Sequence, residues 1–560
     1  MLKRLNWVSL FRALKTRDKV LIAFFTVSGI AALLFWFGAL YVASTVVVPK
    51  AGGEYTEGIA AQPRYINPIL SQTSEADADL AQLVYSGLFG YDDDGNLTKR
   101  MAADYNVSED GKLYTVTLRQ GIKWHDGEEV TADDVLFTIL AIQDPTNKSP
   151  LRSNWLSVEV ASADRYTVTF TLKKAYFGFL ENLTVGILPK HIWENITPEN
   201  FLLADYNLVP IGSGPYSFFD SKKDSNGNML SYELRAFNDY FEGAPYISKM
   251  TFHFYPDEDS LIDAYNRKEV LGINSVTPEN LPSLKESQST RIYEIAIPRV
   301  FAVFFNVTKN PSLAYDEVRQ ALNYATDREA IVREVLSGKG QSAYSAVLPF
   351  MTGYAADLSL PYFDLDKANA LLDEKGWMRG QDGVRAKGAN VLEIEITTPD
   401  WQGLVKTADI LKTEWEHLGA RVSVRVLGAS DIQRNVIPPR DYQALIFGEA
   451  TMLDSDPYSF WHSSQKQDPG LNLAFFDNKE ADDILTTLRE ELDLDKRREK
   501  YRTFQEILYR ENPAVFLYAP SHLYVVNNIV KGVNVKNIDA PAFRLSNVKN
   551  WYINTRRVRK

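Results

Sequence analysis

The longest uninterrupted apolar stretch of the 560-residue chain lies near its start, where no charged side chain falls between Val20 and Val48. At about 1.5 Å per residue, that run makes a helix roughly 43 Å long, more than the roughly 30 Å hydrocarbon core of a bilayer requires. Beyond it, apolar positions recur at helical or strand periods. Ser74-Glu75-Ala76-Asp77 predicts a helix start, with Leu80, Leu83 and Val84 on one face and Gly87 past the end. Residues 105–107 and 113–118 flank an Asp110-Gly111 turn that tolerates positive φ. They predict a hairpin burying Tyr114, Val116 and Leu118. Thr131-Ala132-Asp133-Asp134 opens a second helix, ending before Asp144-Pro145.

A second group of elements begins near residue 300, with a short apolar strand at 303–305. Thr326-Asp327-Arg328-Glu329 reads as a capping box feeding Ala330, Ile331 and Val335. Leu404, Ala408, Leu411, Trp415 and Leu418 form one helical face stopped by Gly419, and Val422, Val424 and Val426 then alternate with polar residues. Helices at about 479–493 and 496–511 precede a strand at 515–518. Helix followed closely by strand is the grammar of an α/β sheet, and no repeat of 20–50 residues is visible. The pattern predicts two α/β lobes after one membrane-length helix.

Charge orients the helix. Residues 1–50 hold Lys3, Arg4, Arg12, Lys15, Arg17, Lys19 and Lys50 against Asp18 alone, so the rest of the chain carries −17 of a net −11. The positive-inside rule keeps residues 1–19 cytoplasmic and exports the chain beyond Lys50. A cleavable signal peptide is the competing reading, with Val42-Ala43-Ser44 as its cleavage site. Its apolar core would be about 7–15 residues, half of what is present. The acidic balance argues against a nucleic-acid partner.

Chemistry narrows the class by what is missing. With no cysteine, disulfides, thiolate metal sites and cysteine nucleophiles are excluded, and six scattered histidines make no metal cluster. No G-x-S-x-G turn, P-loop or G-x-G-x-x-G appears. Gly212-Ser213-Gly214-Pro215 suits a rigid turn, and Asp92-Asp93-Asp94-Gly95-Asn96 lacks the later ligands of a calcium loop. Nothing points to catalysis or to a cofactor.

One ordered series remains. Gly87-Leu88-Phe89-Gly90-Tyr91-Asp92 leads to Tyr114-Thr115-Val116-Thr117-Leu118-Arg119, Gly121-Ile122-Lys123-Trp124-His125-Asp126-Gly127 and Val130-Thr131-Ala132-Asp133-Asp134-Val135. Gly212-Ser213-Gly214-Pro215-Tyr216, Asn238-Asp239-Tyr240-Phe241, Val318-Arg319-Gln320-Ala321-Leu322 and Asp456-Pro457 come later in the same order. The series closely resembles the family 5 extracellular solute-binding proteins, the oligopeptide- and dipeptide-binding components of ABC importers.

The resemblance implies a two-lobed, type II periplasmic-binding-protein-like α/β fold with an extra subdomain in lobe 1, closing over its ligand. The apolar run and its basic flank give a cytoplasmic segment at 1–19, a transmembrane signal-anchor at 20–48, where the family is usually lipid-anchored, and a tether at 49–56. Lobe 1 with its inserted subdomain then spans 57–300 and lobe 2 spans 301–517. Residues 518–560 return to lobe 1 and end in a basic tail, with the lobe crossings near 299–303 and 518–522. Expected partners are a peptide or small solute, ABC permease and ATPase subunits, and the membrane through the N-terminal helix. The chain is expected to act as a monomer and not as an enzyme.

In peptide-binding relatives a Gly-Trp pair and an aspartate precede Asp-Pro, and that aspartate takes the ligand's α-ammonium. Here Glu449 stands where the tryptophan would be, and the interval is one residue longer. Asp454 is then the first expected amine anchor and Glu449 the second, each with loop capping as its alternative. Trp155, Trp401 and Gln402 align with cleft-facing loops, with core packing as the alternative for the aromatics. Glu75 is expected to border the pocket, unless it only complements the helix dipole. Non-peptide cargo (a metal chelate, an opine or an oligosaccharide) and a surface sensor or chaperone are the alternatives to peptide capture.

Overall fold

The structure, a computed structural model, describes residues 14–285, 289–358, 360–454 and 456–560. Lys3, Arg4 and Arg12 of the basic leader, and Ser455, lie outside the described residues. Two mixed sheets organise the two lobes. The first has seven strands in the order Thr290–Ile295, His522–Asn527, Gly272–Ile273, Glu54–Ile59, Lys249–Phe254, Met229–Ala236 and Tyr216–Lys223. Glu54–Ile59 pairs in parallel on both its edges, and the remaining pairings are antiparallel. The predicted hairpin forms as Ala102–Val107 and Leu113–Leu118, inside a four-stranded antiparallel subdomain completed by Thr167–Leu172 and Val158–Asp164.

The second sheet has six strands in the order Gly340–Ser342, Ala514–Pro520, Arg299–Phe305, Ala444–Ala450, Glu393–Pro399 and Arg421–Leu427. Its strand Arg299–Phe305 is apolar on both faces. Val303 and Phe305 join Leu322 and Trp415 in one core, while Ala302 and Phe304 join Trp461 and Phe504 in another. Alternate residues of a strand face opposite sides, so a strand apolar throughout belongs to a sheet covered by helices twice over. Only Ala296, Ile297 and Pro298 separate the last strand of the first sheet's N-terminal part from Arg299, and only Ser521 separates Pro520 from His522.

Local signals explain most element ends. Ser74 Oγ accepts from the Asp77 N–H at 3.4 Å to start Glu75–Val84, and a capping box at Thr131 starts Ala132–Gln143. At the third expected cap the structure differs. Asp327, not Thr326, caps Arg328–Val335, because Thr326 Oγ1 is turned inward to the Leu322 carbonyl and the Trp415 indole N–H. The Gly-Ser-Gly-Pro turn is a packing device: a Cβ on Gly212 would fall 2.0 Å from the Val84 carbonyl oxygen, so only glycine lets the turn close on that helix end.

The N-terminal helix is Thr16–Ser44, with none of its residues buried and a mean hydropathy of 2.4, long and apolar enough to cross a membrane. It stops four residues before the expected end of the span. Thr45-Val46-Val47-Val48 is a β-branched run, and Thr45–Pro49 pairs antiparallel with Thr555–Arg559 instead of continuing the helix. Nor are residues 49–56 a loose tether. The Lys50 N–H donates to the Asn554 carbonyl at 2.9 Å, the Gly52 N–H to the Tyr246 carbonyl at 2.8 Å, and Glu54–Ile59 is a central strand.

Candidate functional site

A cavity of about 500 Å³ opens between the lobes. The helix Glu75–Val84 contributes Glu75, Ala78, Ala81 and Gln82 to its wall, a run at helical spacing set by the Ser74 cap. Ile297, Pro298 and Arg299 line it from the crossing between sheets, and Ala450, Thr451 and Met452 line it from the second lobe.

One wall is held by a buried ionic network. Arg544 donates to both oxygens of Asp79 at 2.6 Å and to Glu57 Oε1 at 2.5 Å. The hydroxyls of Tyr55 and Tyr524 donate to Glu57 Oε2 at 2.6 and 2.8 Å. All three charged side chains are 0–1 % exposed. Burial pushes the Asp79 carboxyl up to about 6, with the charge of Arg544 restraining it. This network joins the cavity-lining segment 540–543 to the helix and the central strand.

A second acidic group at the cavity is much less compensated. Glu181 and Asp539 both line the cavity. Burial, followed by the charges of Asp539 and Asp454, pushes Glu181 up to about 9. Burial also raises Asp539, with the Tyr91 hydroxyl and the Leu453 N–H opposing. Glu181 Oε2 and Asp539 Oδ2 make no hydrogen bond, and neither carboxyl has an ion pair among the described residues. Arg299, on the same cavity, likewise makes no ion pair or side-chain hydrogen bond among the described residues. The cavity thus presents three acids, Glu75, Glu181 and Asp539, together with Arg100, which is paired with Glu242, and the free guanidinium of Arg299.

Contacts across the cleft bring the lobes together. The Leu453 N–H donates to Asp539 Oδ1, and the Phe177 N–H donates to the Arg489 carbonyl at 3.0 Å. The Arg497 guanidinium lies 3.8 Å from the centre of the Phe177 ring. Lys174 pairs with Glu490 at 3.4 Å and Lys339 with Glu294 at 2.6 Å.

Of the expected ligand contacts, Glu75 and Trp155 line the cavity. Glu75 accepts from the Asn274 amide at 3.1 Å. Trp155 is only 1 % exposed and is wedged between Phe170 and Phe179, with ring centroids at 6.2 and 5.8 Å, so packing is its main role. The other four do not line it. Asp454 is engaged by Arg497 at 3.1 Å and lies in a separate small recess with Asp456 and Arg489. Glu449 is buried within its strand, and burial pushes it up to about 8, with the nearby Trp461 indole opposing. Trp401 is half exposed and Gln402 begins the helix Gln402–Leu418. Glu181 and Asp539 escaped the sequence reading because each is a lone acid in an apolar stretch (Phe179-Leu180-Glu181 and Ile538-Asp539-Ala540-Pro541) outside the resembling blocks. Arg299 lay in an expected crossing and carried no sign that it lines the cavity.

Residues 96–470 match the family described as bacterial extracellular solute-binding proteins, family 5 Middle, and the chain belongs to that family of solute-binding proteins. It is 28% identical over 514 residues to the oligopeptide-binding protein AppA of Bacillus subtilis (strain 168), covering 90% of this chain and 92% of the relative. The structure of AppA from Bacillus subtilis in complex with a nonapeptide superposes with a TM-score of 0.71, 27% identity, 90% of this chain and 100% of that one. The dipeptide-binding protein of Escherichia coli (strain K12) is 27% identical over 460 residues, 77% of this chain and 82% of the relative. NikZ from Campylobacter jejuni in complex with Ni(L-His) superposes with a TM-score of 0.73, 27% identity, 89% of this chain and 99% of that one.

Proposed function

We propose that this protein is a membrane-anchored, extracytoplasmic receptor that captures peptides in the cleft and delivers them to an ABC permease and its ATPase. The reading is carried by the cavity, which sets two under-compensated carboxyls against one unpaired guanidinium between the lobes. A peptide carries an ammonium at one end and a carboxylate at the other. Its ammonium would enter beside Glu181 and Asp539, its carboxylate would meet Arg299, and charge-assisted bonds would form at both ends. The relatives named for oligopeptide and dipeptide binding support the choice of cargo. Closure would turn on Ala296–Pro298 and Ser521, where few backbone angles need to change. Such a receptor works as a monomer and needs no bond-breaking group, because cargo must leave unaltered.

Thermal-shift screening with di- to hexapeptides tests the reading. A ligand at 100 times its dissociation constant should stabilise the folded state by about 2.7 kcal/mol. A second reading keeps the receptor and changes the cargo. The same two poles would hold another zwitterion, such as a metal–amino acid chelate, and the Ni(L-His) complex of NikZ favours including that chelate in the screen. A shift with the chelate and none with any peptide would select it.

A further inference from the structure

The strand after the N-terminal helix meets the last strand of the chain, and neither lines the cavity. Thr45–Pro49 leaves the N-terminal helix directly into an antiparallel ribbon with Thr555–Arg559, in the register Thr45↔Arg559 to Pro49↔Thr555. The helix has no basic residue in its own last turn. The C-terminal strand supplies the missing groups. Arg557 Nη2 donates to the Val42 carbonyl at 3.2 Å, Arg557 Nε to Thr45 Oγ1 at 2.9 Å, and the Lys560 N–H to the Ser44 carbonyl at 3.0 Å. A cation at the carbonyl end of a helix is favoured by the dipole and satisfies acceptors that the helix cannot.

The ribbon therefore starts where the apolar helix stops. Arg556, Arg557, Arg559 and Lys560 are all exposed on it, and none pairs with a carboxylate among the described residues. Val46 and Val47 are exposed beside them, and Tyr41 is exposed on the last turn of the helix. Exposed valines, a tyrosine and four unpaired cations at the end of a membrane-length helix form the composition of a headgroup layer contact, not of a water-facing strand. The rest of the exported chain is acidic, so this cluster is a local exception that an anionic surface would select.

We propose that this terminal ribbon binds anionic phospholipid headgroups and thereby fixes the stance of the ectodomain on the membrane. The inference rests on the proposal that the N-terminal helix is retained as an anchor. A flexible tether would let the lobes tumble, whereas a two-stranded ribbon bonded to both the helix end and the first lobe transmits the lipid contact to the body.

The test uses the full chain in nanodiscs of phosphatidylcholine alone or with about one-third phosphatidylglycerol. The sequence has no cysteine, so Asn226→Cys, in an exposed turn, takes a single fluorophore whose energy transfer to a headgroup acceptor reports the height of lobe 1. Transfer should differ between the two discs, and the difference should vanish at about 1 M salt, where the Debye length is about 3 Å. The triple variant Arg556→Gln/Arg559→Gln/Lys560→Gln, which spares the helix-capping Arg557, should lose the lipid difference while keeping its melting temperature. The corresponding Arg→Lys variants should retain it. Equal transfer in both discs for the unmodified chain, with the helix retained, overturns this proposal alone. Intact-mass measurement showing that residues 16–44 are removed overturns the anchor reading and this proposal with it.

Discussion

Glu57 with Asp79, and Glu181 with Asp539, are two acidic pairs hidden in the first lobe, and the protein treats them in opposite ways. Around the first pair one guanidinium spans both carboxylates and two tyrosine hydroxyls fill the remaining positions. Around the second there is no ion pair among the described residues, one oxygen of each carboxyl lacks a hydrogen bond, and Arg497 is already committed to Asp454. Burial alone therefore does not mark a ligand site, since both pairs hold buried carboxyl oxygens. What sets the second pair apart, and carries its proposed role, is a buried carboxyl oxygen without a matching charge at the edge of a cavity.

Removing the compensation from the first pair should have the largest effect. Arg544→Met leaves two buried carboxyls facing one another and should lower stability by about 3–5 kcal/mol, read by urea denaturation. The same logic reverses at the second pair. Glu181→Gln with Asp539→Asn removes two acids that have no ion pair among the described residues, so the fold should hold or gain. Peptide affinity should drop by about 10- to 100-fold, the loss of a hydrogen bond to a charged group at about 1.5–3 kcal/mol. Loss of stability comparable to Arg544→Met would erase the distinction between the pairs. At the other pole, Arg299→Gln should weaken peptides with a free carboxylate by about tenfold and leave amidated peptides unchanged, within the same range for a charged hydrogen bond.

A pH series sharpens the contrast. Glu181 is raised to about 9 where it is buried against the second lobe, so the closed form holds a proton that an exposed glutamate would have released. That contribution is fully present below the ordinary glutamate range and is lost as pH rises through about 9. Closure should weaken by up to one proton's worth across that window, and Glu181→Gln should flatten the profile. The smallest effect belongs to the exposed Lys174–Glu490 contact, where Lys174→Ala should cost under about 1 kcal/mol by the same denaturation assay.

The fold was legible wherever a side chain acts on its own backbone or face. The Ser74 and Thr131 caps, the Asp110-Gly111 hairpin and the Leu404-to-Leu418 stripe needed only their neighbours to be understood. Two local readings failed because a distant partner intervened. Thr326 is drawn inward by Trp415, and the valine run after Ser44 is claimed by a strand about 500 residues later. The site fared in the same way. Glu75 borders the cavity because it rides on a helix whose start is local, whereas Asp454 is occupied by Arg497 on a helix that sequence pattern alone does not bring near it. Glu181 and Asp539 are separated by most of the chain, and only the folding of the first lobe makes them one group.

The central claim is that the cleft's uncompensated acids await an ammonium. Titration calorimetry of a tripeptide and its N-acetylated form, each in two buffers of unlike protonation heat near neutral pH, tests it most directly. The free peptide should bind about 10- to 100-fold more tightly, and the acetylated one should take up close to one proton more on binding, because without an ammonium beside it Glu181 closes protonated. Equal affinities for the two peptides, with heats independent of buffer, would contradict it.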